Sequence, residues 1–313
     1  MSLPAARQIP DADLERVRVS LSGLIGLSRS AAHLSLHHSG IRADRSGNYL
    51  SSFRGRGMEF DESRPYAPGD DVRSLDWRVT ARTGKVHTKL FREERERPVF
   101  LSVDVRNAMF FATRGVFKSV LAARLAALVA WSAAQRGDRV GGQLLGERAS
   151  LEFKPAHGRG AVLRLLQKLT EAAPVPPGGA TAGMDDALSR LSRHARPGSL
   201  VFVISDFRGL GEGGETSLIR LRRHCDVALA LISDPLEESL PQRGCYRFGD
   251  GLREWLLEAS PGAAHIHAAR FAQRHDRVSA LAKAHGMRFL ACRTGDDALA
   301  VLRRSLHPKP MAG

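Results

Sequence analysis

VFLSVD, residues 99–104, is an almost unbroken apolar run that stops on an acid. VFVISD (201–206) and LALISD (229–234) repeat the arrangement. Short continuous apolar runs of this kind are what strands covered on both faces look like. Helical patterns lie between them. From Val116 to Gln135, Phe117, Val120, Leu121, Leu125, Leu128 and Val129 fall on one face, and Gly137 follows as a stop. Further helices are expected over 161–169, 185–193, 216–224, 264–284 and 296–305. Strands are expected over 139–145, pairing with 149–153, and over 200–205, 227–233 and 287–292. Strand and helix alternating in this way predict an α/β fold, a mostly parallel sheet with helices on both faces.

The acids that end these runs are Asp104, Asp206 and Asp234. In an open parallel sheet the carboxyl ends of the strands share one edge, and ligands bind along it. Carboxylates gathered there repel unless a cation or a proton offsets them. Mg²⁺ is a usual solution. The plainer reading is that each Asp caps the turn or helix that follows.

Upstream of the sheet the pattern changes twice. Residues 1–40 read as a helical segment, with Leu14, Val17, Leu21, Leu24, Ile25 and Leu27 at helical spacing. Residues 41–97 are rich in Gly and Pro and read as a β-rich subdomain of short strands and ordered loops. The α/β domain then occupies 98–306, and 307–313 is expected to be a flexible tail.

Composition narrows the function classes. The chain has 313 residues, 43% hydrophobic and 26% charged, the balance of an ordinary globular protein. Its most apolar stretch, 116–134, is interrupted by Lys118 and Arg124, so no membrane span is expected. The N-terminus has no apolar signal region, and three scattered Cys (Cys225, Cys245, Cys292) fit reduced thiols, so a cytoplasmic protein is expected. The formal net charge is +14, carried mostly by Arg. Such a charge suits a nucleic acid or an acidic protein. It is dispersed along the chain, however, and aromatics are only 6%, which leaves few stacking platforms for nucleic acid.

The segment 53–94, FRGRGMEFDESRPYAPGDDVRSLDWRVTARTGKVHTKLFREE, carries a dense set of residues. They are Arg54-Gly55-Arg56-Gly57, Glu59-Phe60, Arg64, Tyr66, Pro68-Gly69-Asp70-Asp71, Arg73, Asp76-Trp77 and Thr80-Ala81-Arg82. With GDRVG (137–141), VISDFRG (203–209) and SDPLEESLPQRG (233–244) following in order, the chain resembles the bacterial domain of unknown function 58 over roughly residues 40–250. The resemblance implies a von Willebrand factor A-like fold and a partnership with a MoxR-type AAA+ ATPase, in a family whose biochemical activity is generally not established. It also implies a candidate metal-ion-dependent adhesion site built from Asp-x-Ser-x-Ser, a Thr and an Asp. Asp104, Thr181 and Asp206 match that pattern, whereas Arg106 and Ala108 stand where the two Ser would be. Weak Mg²⁺ binding, or none, is therefore expected. Arg106 would instead take a partner carboxylate directly, on a rim formed with Asp104, Thr181 and Asp206.

Other motifs have plainer readings. Residues 209–214 fit G-x-G-x-x-G, but Asp206, Phe207 and Arg208 separate the strand from the first Gly, so the turn is misplaced for a dinucleotide and a flexible loop is expected. His265, His267, His33, His37 and His38 have no Cys or carboxylate at ligand spacing and read as exposed helical residues. Within 53–94, Arg64, Tyr66, Asp70, Asp71, Arg73, Asp76, Trp77 and Arg82 fit either a buried salt-bridge network or a docking surface. The leading expectation is a non-enzymatic protein-binding module. Two alternatives stand beside it: a Mg²⁺-dependent phosphohydrolase using strand-end Asp residues, which lacks the second Asp of a D-x-D motif, and a nucleic-acid-binding protein on charge alone.

Overall fold

The computed structural model describes residues 11–36, 58–93, 97–176, 182–249 and 254–306. Thr181, Arg54, Arg56, His37, His38 and the expected tail at 307–313 lie outside them. The chain divides into two compact units, one of residues 1–37 with 97–313 and one of residues 38–96.

The larger unit begins with three short helices, α1 (Asp11–Val17), α2 (Leu21–Gly26) and α3 (Ser28–Ala31). The smaller unit holds β1 (Met58–Pro65), a 3-10 turn at Val72–Ser74, α4 (Trp77–Thr83) and β2 (His87–Glu93), with β1 and β2 antiparallel. The chain then returns to the larger unit. There it forms β3 (Val99–Asp104), α5 (Lys118–Gln135), β4 (Val140–Leu145), β5 (Ser150–Ala156), α6 (Gly158–Glu171), α7 (Met184–His194), β6 (Leu200–Ser205) and α8 (Glu212–Arg222). β7 (Asp226–Ser233), α9 (Pro235–Glu238), the antiparallel pair β8 (Cys245–Gly249) and β9 (Glu254–Glu258), α10 (Pro261–Ala284), β10 (Arg288–Arg293) and α11 (Ala298–Leu306) complete it.

The six-stranded sheet runs β10-β7-β6-β3-β4-β5. Every pair is parallel except β4–β5, the one hairpin-like pairing. This is the mixed α/β, mostly parallel fold that the alternating pattern predicts. Because successive side chains alternate faces, one set of strand residues (Leu101, Val103, Phe202, Ile204) packs with α5, α6 and α11. The other set (Phe100, Val201, Val203) packs with α7, α8 and α10.

The N-terminal helices are not a segment apart. Leu24, Ala31, Leu34 and Leu36 are buried in the same core as α5. Trp131 Nε1 donates to the Leu24 carbonyl at 3.0 Å, and Ser132 Oγ to the Leu34 carbonyl at 2.9 Å. α5 is buried nearly all round because it is enclosed by β3, α2, α3, α6 and α11.

In the smaller unit the acids work as caps more than as partners of arginines. Asp76 Oδ1 accepts from the backbone N–H of Arg78 and Val79 at the start of α4, and Ser63 Oγ donates to its Oδ2 at 2.7 Å. Asp71 accepts from Arg73 N. Arg64 Nη2 pairs with Asp70 Oδ1 at 2.6 Å. Arg73, Arg78 and Arg82 are exposed, as are Tyr66 and Trp77, the last 69% accessible. Among the described side chains, Asp70, Asp71 and Asp76 each accept a backbone N–H, and Asp70 also pairs with Arg64. The physical reason is that short turns and helices leave N–H groups needing acceptors next to each Asp.

Candidate functional site at the carboxyl edge of the sheet

β3 and β6 are neighbours, so Asp104 and Asp206 stand side by side at their carboxyl ends. Both are 1% exposed. Carboxylates in that position cost several kcal/mol each unless opposite charge and hydrogen bonds surround them. The chain supplies both from its own side chains. Arg106 grips Asp104 with two hydrogen bonds, Nε to Oδ1 at 3.0 Å and Nη2 to Oδ2 at 2.7 Å. Its backbone N–H adds a third at 3.0 Å, and Ser205 Oγ donates to Oδ2 at 2.6 Å. Lys118, wholly buried at the first position of α5, donates Nζ to Asp206 Oδ2 at 2.9 Å and to Glu237 Oε1 at 2.7 Å. Arg208 lies outermost, 46% exposed, with Nη2 on Glu237 Oε1 at 2.7 Å and Nε 3.4 Å from Asp206 Oδ2.

The electrostatics follow from this packing. Burial pushes the Asp206 carboxyl up, but the Lys118 charge and the Arg208 backbone N–H outweigh it and hold the group below its ordinary value. Burial likewise opposes the charge on Arg106, and the bonds to Asp104 more than restore it. Asp234 does not join the cluster. It caps α9 in a capping box and accepts from Thr113 N, Thr113 Oγ1 and Thr294 Oγ1, so for this Asp the plain reading of the sequence was the right one.

The loop after β3 is fixed by Asn107, whose side chain exchanges two hydrogen bonds with the backbone of Val175 and whose N–H donates to Glu147. Phe207, buried between Asp206 and Arg208, has φ +54°, a conformation uncommon for a bulky side chain and found disproportionately at functional sites. The glycines at 209–214 are not a free loop. Gly211 caps α8 and Gly213 and Gly214 lie inside it, closed over Asp185 of α7, which accepts from Gly211 N at 2.8 Å. A Cβ at Gly211 or Gly214 would fall 2.6 or 2.5 Å from that carboxylate. The place where a phosphate would rest on such a helix start is taken by an internal anion.

A divalent ion needs oxygen ligands free to coordinate it. Here Asp104 is saturated by Arg106 and Ser205, and Asp206 and Glu237 share Lys118. Among the described residues no group of three or more His, Cys, Asp or Glu side chains is placed to hold a metal. The adhesion-site pattern and this donor set do not fit each other. Lys118 and Glu237 were missed by the site reading of the sequence. A signal existed: a lysine at the positive end of a mostly apolar helix opposes the helix dipole and calls for a compelling acid partner.

A family model described as a protein of unknown function, DUF58, matches residues 62–280. The chain belongs to the DUF58 family. Uncharacterized proteins of Mycobacterium tuberculosis and Mycobacterium bovis are each 29% identical over 262 residues, covering 82% of this chain and 81% of theirs. Among solved structures, an aerotolerance-related membrane protein from Bacteroides fragilis is similar at 13% identity and a TM-score of 0.43, covering 67% of this chain and 96% of that one. A von Willebrand factor type A protein from Catenulispora acidiphila is similar at 11% identity and a TM-score of 0.35, covering 71% and 45%. No helix among the described residues of this family member is long and apolar enough to cross a membrane.

Proposed function

We propose that this DUF58 protein is a non-enzymatic protein-binding module that works with a MoxR-type AAA+ ATPase, in the cytoplasm, to remodel or mature another protein. One observation carries the reading. The edge where α/β proteins place their ligands holds a self-neutralised cluster, Asp104–Arg106 and Asp206–Lys118–Glu237, with only its outer arginine well exposed. Such a cluster presents a shaped, charged surface and keeps its buried groups occupied. Asp104, the residue a phosphohydrolase would use as nucleophile, has both oxygens engaged. Burial raises the thiols of Cys225 and Cys292 to about 11 and about 12, far from a reactive thiolate. All three Cys are free, in keeping with a reducing compartment.

The test uses the full chain and the purified MoxR-type ATPase of the same host. Saturable binding, and a change in ATPase rate on adding the chain, are expected. Absence of binding would overturn the partnership. Mg²⁺-dependent hydrolysis of a phosphate monoester that disappears in Asp104→Asn would overturn the non-enzymatic reading.

A further inference from the structure

A cavity of about 590 Å³ lies between the strands β3, β4 and β5 and the end of α7, away from the acid cluster, none of whose residues line it. That volume is within the range of small-molecule sites. Its apolar walls come from Pro98, Phe100, Phe153, Pro155 and Leu191. Gln143 of β4 is the buried polar group in it, 2% exposed. The residues opposite it in the sheet are Ser102 of β3 and Glu152 of β5. Its Nε2 donates to Ser102 Oγ and to the Ala187 carbonyl of α7, both at 3.0 Å. A carbonyl can only accept, so the amide nitrogen is fixed toward α7 and Oε1 turns away from it. Oε1 accepts no hydrogen bond among the described residues, and it is not one of the sealed polar atoms that lack a partner. It therefore keeps some access, and the space Gln143 lines is the cavity. An acceptor so nearly buried is costly to leave unmet, and an N–H or O–H from a bound molecule would meet it.

The charge around the cavity is one-sided. Glu152 is the only acid that lines it, and its carboxylate lies 3.1 Å from His194 Nδ1. Arg193 and His194 stand in the last turn of α7, where positive charge offsets the negative end of the helix. Arg139 is held by His157 at 2.8 Å. Lys154 of β5 and Arg196, just past α7, remain. Both are exposed, both line the cavity, and neither makes an ion pair among the described residues. We propose that this cavity binds a small organic anion with a flat apolar body and one N–H or O–H donor. The anionic group lies by Lys154 and Arg196, the body against the proline and phenylalanine walls, and the donor on Gln143 Oε1. Inorganic phosphate would use the charge but leave the apolar walls bare. The site is separate from the rim and does not depend on the partnership with an ATPase.

The probe is indole-3-acetate, which has a carboxylate, a flat apolar ring and one N–H. It is titrated into the full chain by calorimetry at low ionic strength, and saturable binding is expected. Indole-3-acetamide lacks the charge and should bind about tenfold more weakly. The N-methyl derivative of indole-3-acetate lacks the donor and should bind about fivefold more weakly. In the double variant Lys154→Gln with Arg196→Gln, the advantage of the carboxylate over the amide should disappear. Arg303→Gln removes an exposed charge from α11, on the other face of the sheet, and should leave affinity within about twofold. Gln143→Met removes the acceptor and should erase the preference for the unmethylated ring. If losing the bonds to Ser102 and Ala187 unfolds that variant, the methylated pair on the wild type and the surface double variant still decide. No saturable binding at millimolar probe would overturn the proposal. So would equal affinity for all the compounds, or equal loss in Arg303→Gln and the double variant.

Discussion

Lys118 shows how one side chain can decide the character of a site. Its ammonium is wholly buried and shared by Asp206 and Glu237. Replacing it with methionine keeps the length and removes the charge, leaving two buried carboxylates facing each other. Lys118→Met should therefore cost about 3–5 kcal/mol, measured by urea unfolding at neutral pH. The pH dependence gives a second check. In the wild type Asp206 sits below the ordinary value of 3.8, so the stability it contributes is present above that pH and is lost as pH falls through the lower folded value. In Lys118→Met the Lys118 charge no longer lowers the Asp206 pKa and the Arg208 N–H and guanidinium are left to oppose burial, so that pKa rises and less stability is lost as pH falls. The stability gap between the two proteins should narrow on acidification. A constant gap would mean that Lys118 acts through packing alone.

At the scale of elements, helix starts explain acids that the sequence leaves ambiguous. Asp76 closes the first turn of α4 and holds Ser63 of β1, with its carboxyl lowered first by the Ser63 hydrogen bond and then by the Val79 N–H. Asp76→Ala should destabilise the smaller unit by about 1–2 kcal/mol. Arg82→Ala, at an exposed position, should stay within about 0.5 kcal/mol. Hydrogen exchange of the 58–93 amides reads both, and comparable losses would restore the ion-pair network. By the same logic Asp185→Ala should loosen the start of α8 by about 1 kcal/mol, because Gly211 N loses its acceptor. The central strands β3, β6 and β7 were legible because each is an apolar run that leads to an Asp, and burial on both faces imposes that composition. The β8–β9 pair was not, since CYRF and EWLLE mix charges and aromatics without clean alternation. The cluster was legible in part. Acids at strand ends announce themselves, whereas Lys118 and Glu237 come from α5 and α9, and only the fold brings them to the edge where Asp206 stands.

At the scale of the whole molecule, the N-terminal helices hold the least visible structural role. Residues 14–27 show a helical repeat, but their destination depends on α5, whose apolar residues are too many for one face. A helix apolar on most sides must be enclosed on most sides. The sheet, α6 and α11 cover part of α5, and α2 and α3 cover the rest, with Leu24 2% exposed and Ala31 and Leu34 fully buried. Three side chains of α5, Trp131, Ser132 and Gln135, also spend their donors on carbonyls of this segment. Deleting residues 1–36 would expose that face of α5 and orphan those donors, so the truncated chain should aggregate or bind a hydrophobic dye strongly. Because a truncation can fail for other reasons, Leu24→Ala is the sharper probe. A buried Leu of this kind costs about 2–5 kcal/mol when cut to Ala. If the helices belong to the core, that loss should appear as one cooperative transition of the whole α/β unit, seen equally by Trp131 fluorescence and by circular dichroism. A separate early transition of the N-terminal helices, with α5 and the sheet unfolding at the wild-type midpoint, would show instead that they form an independent appendage.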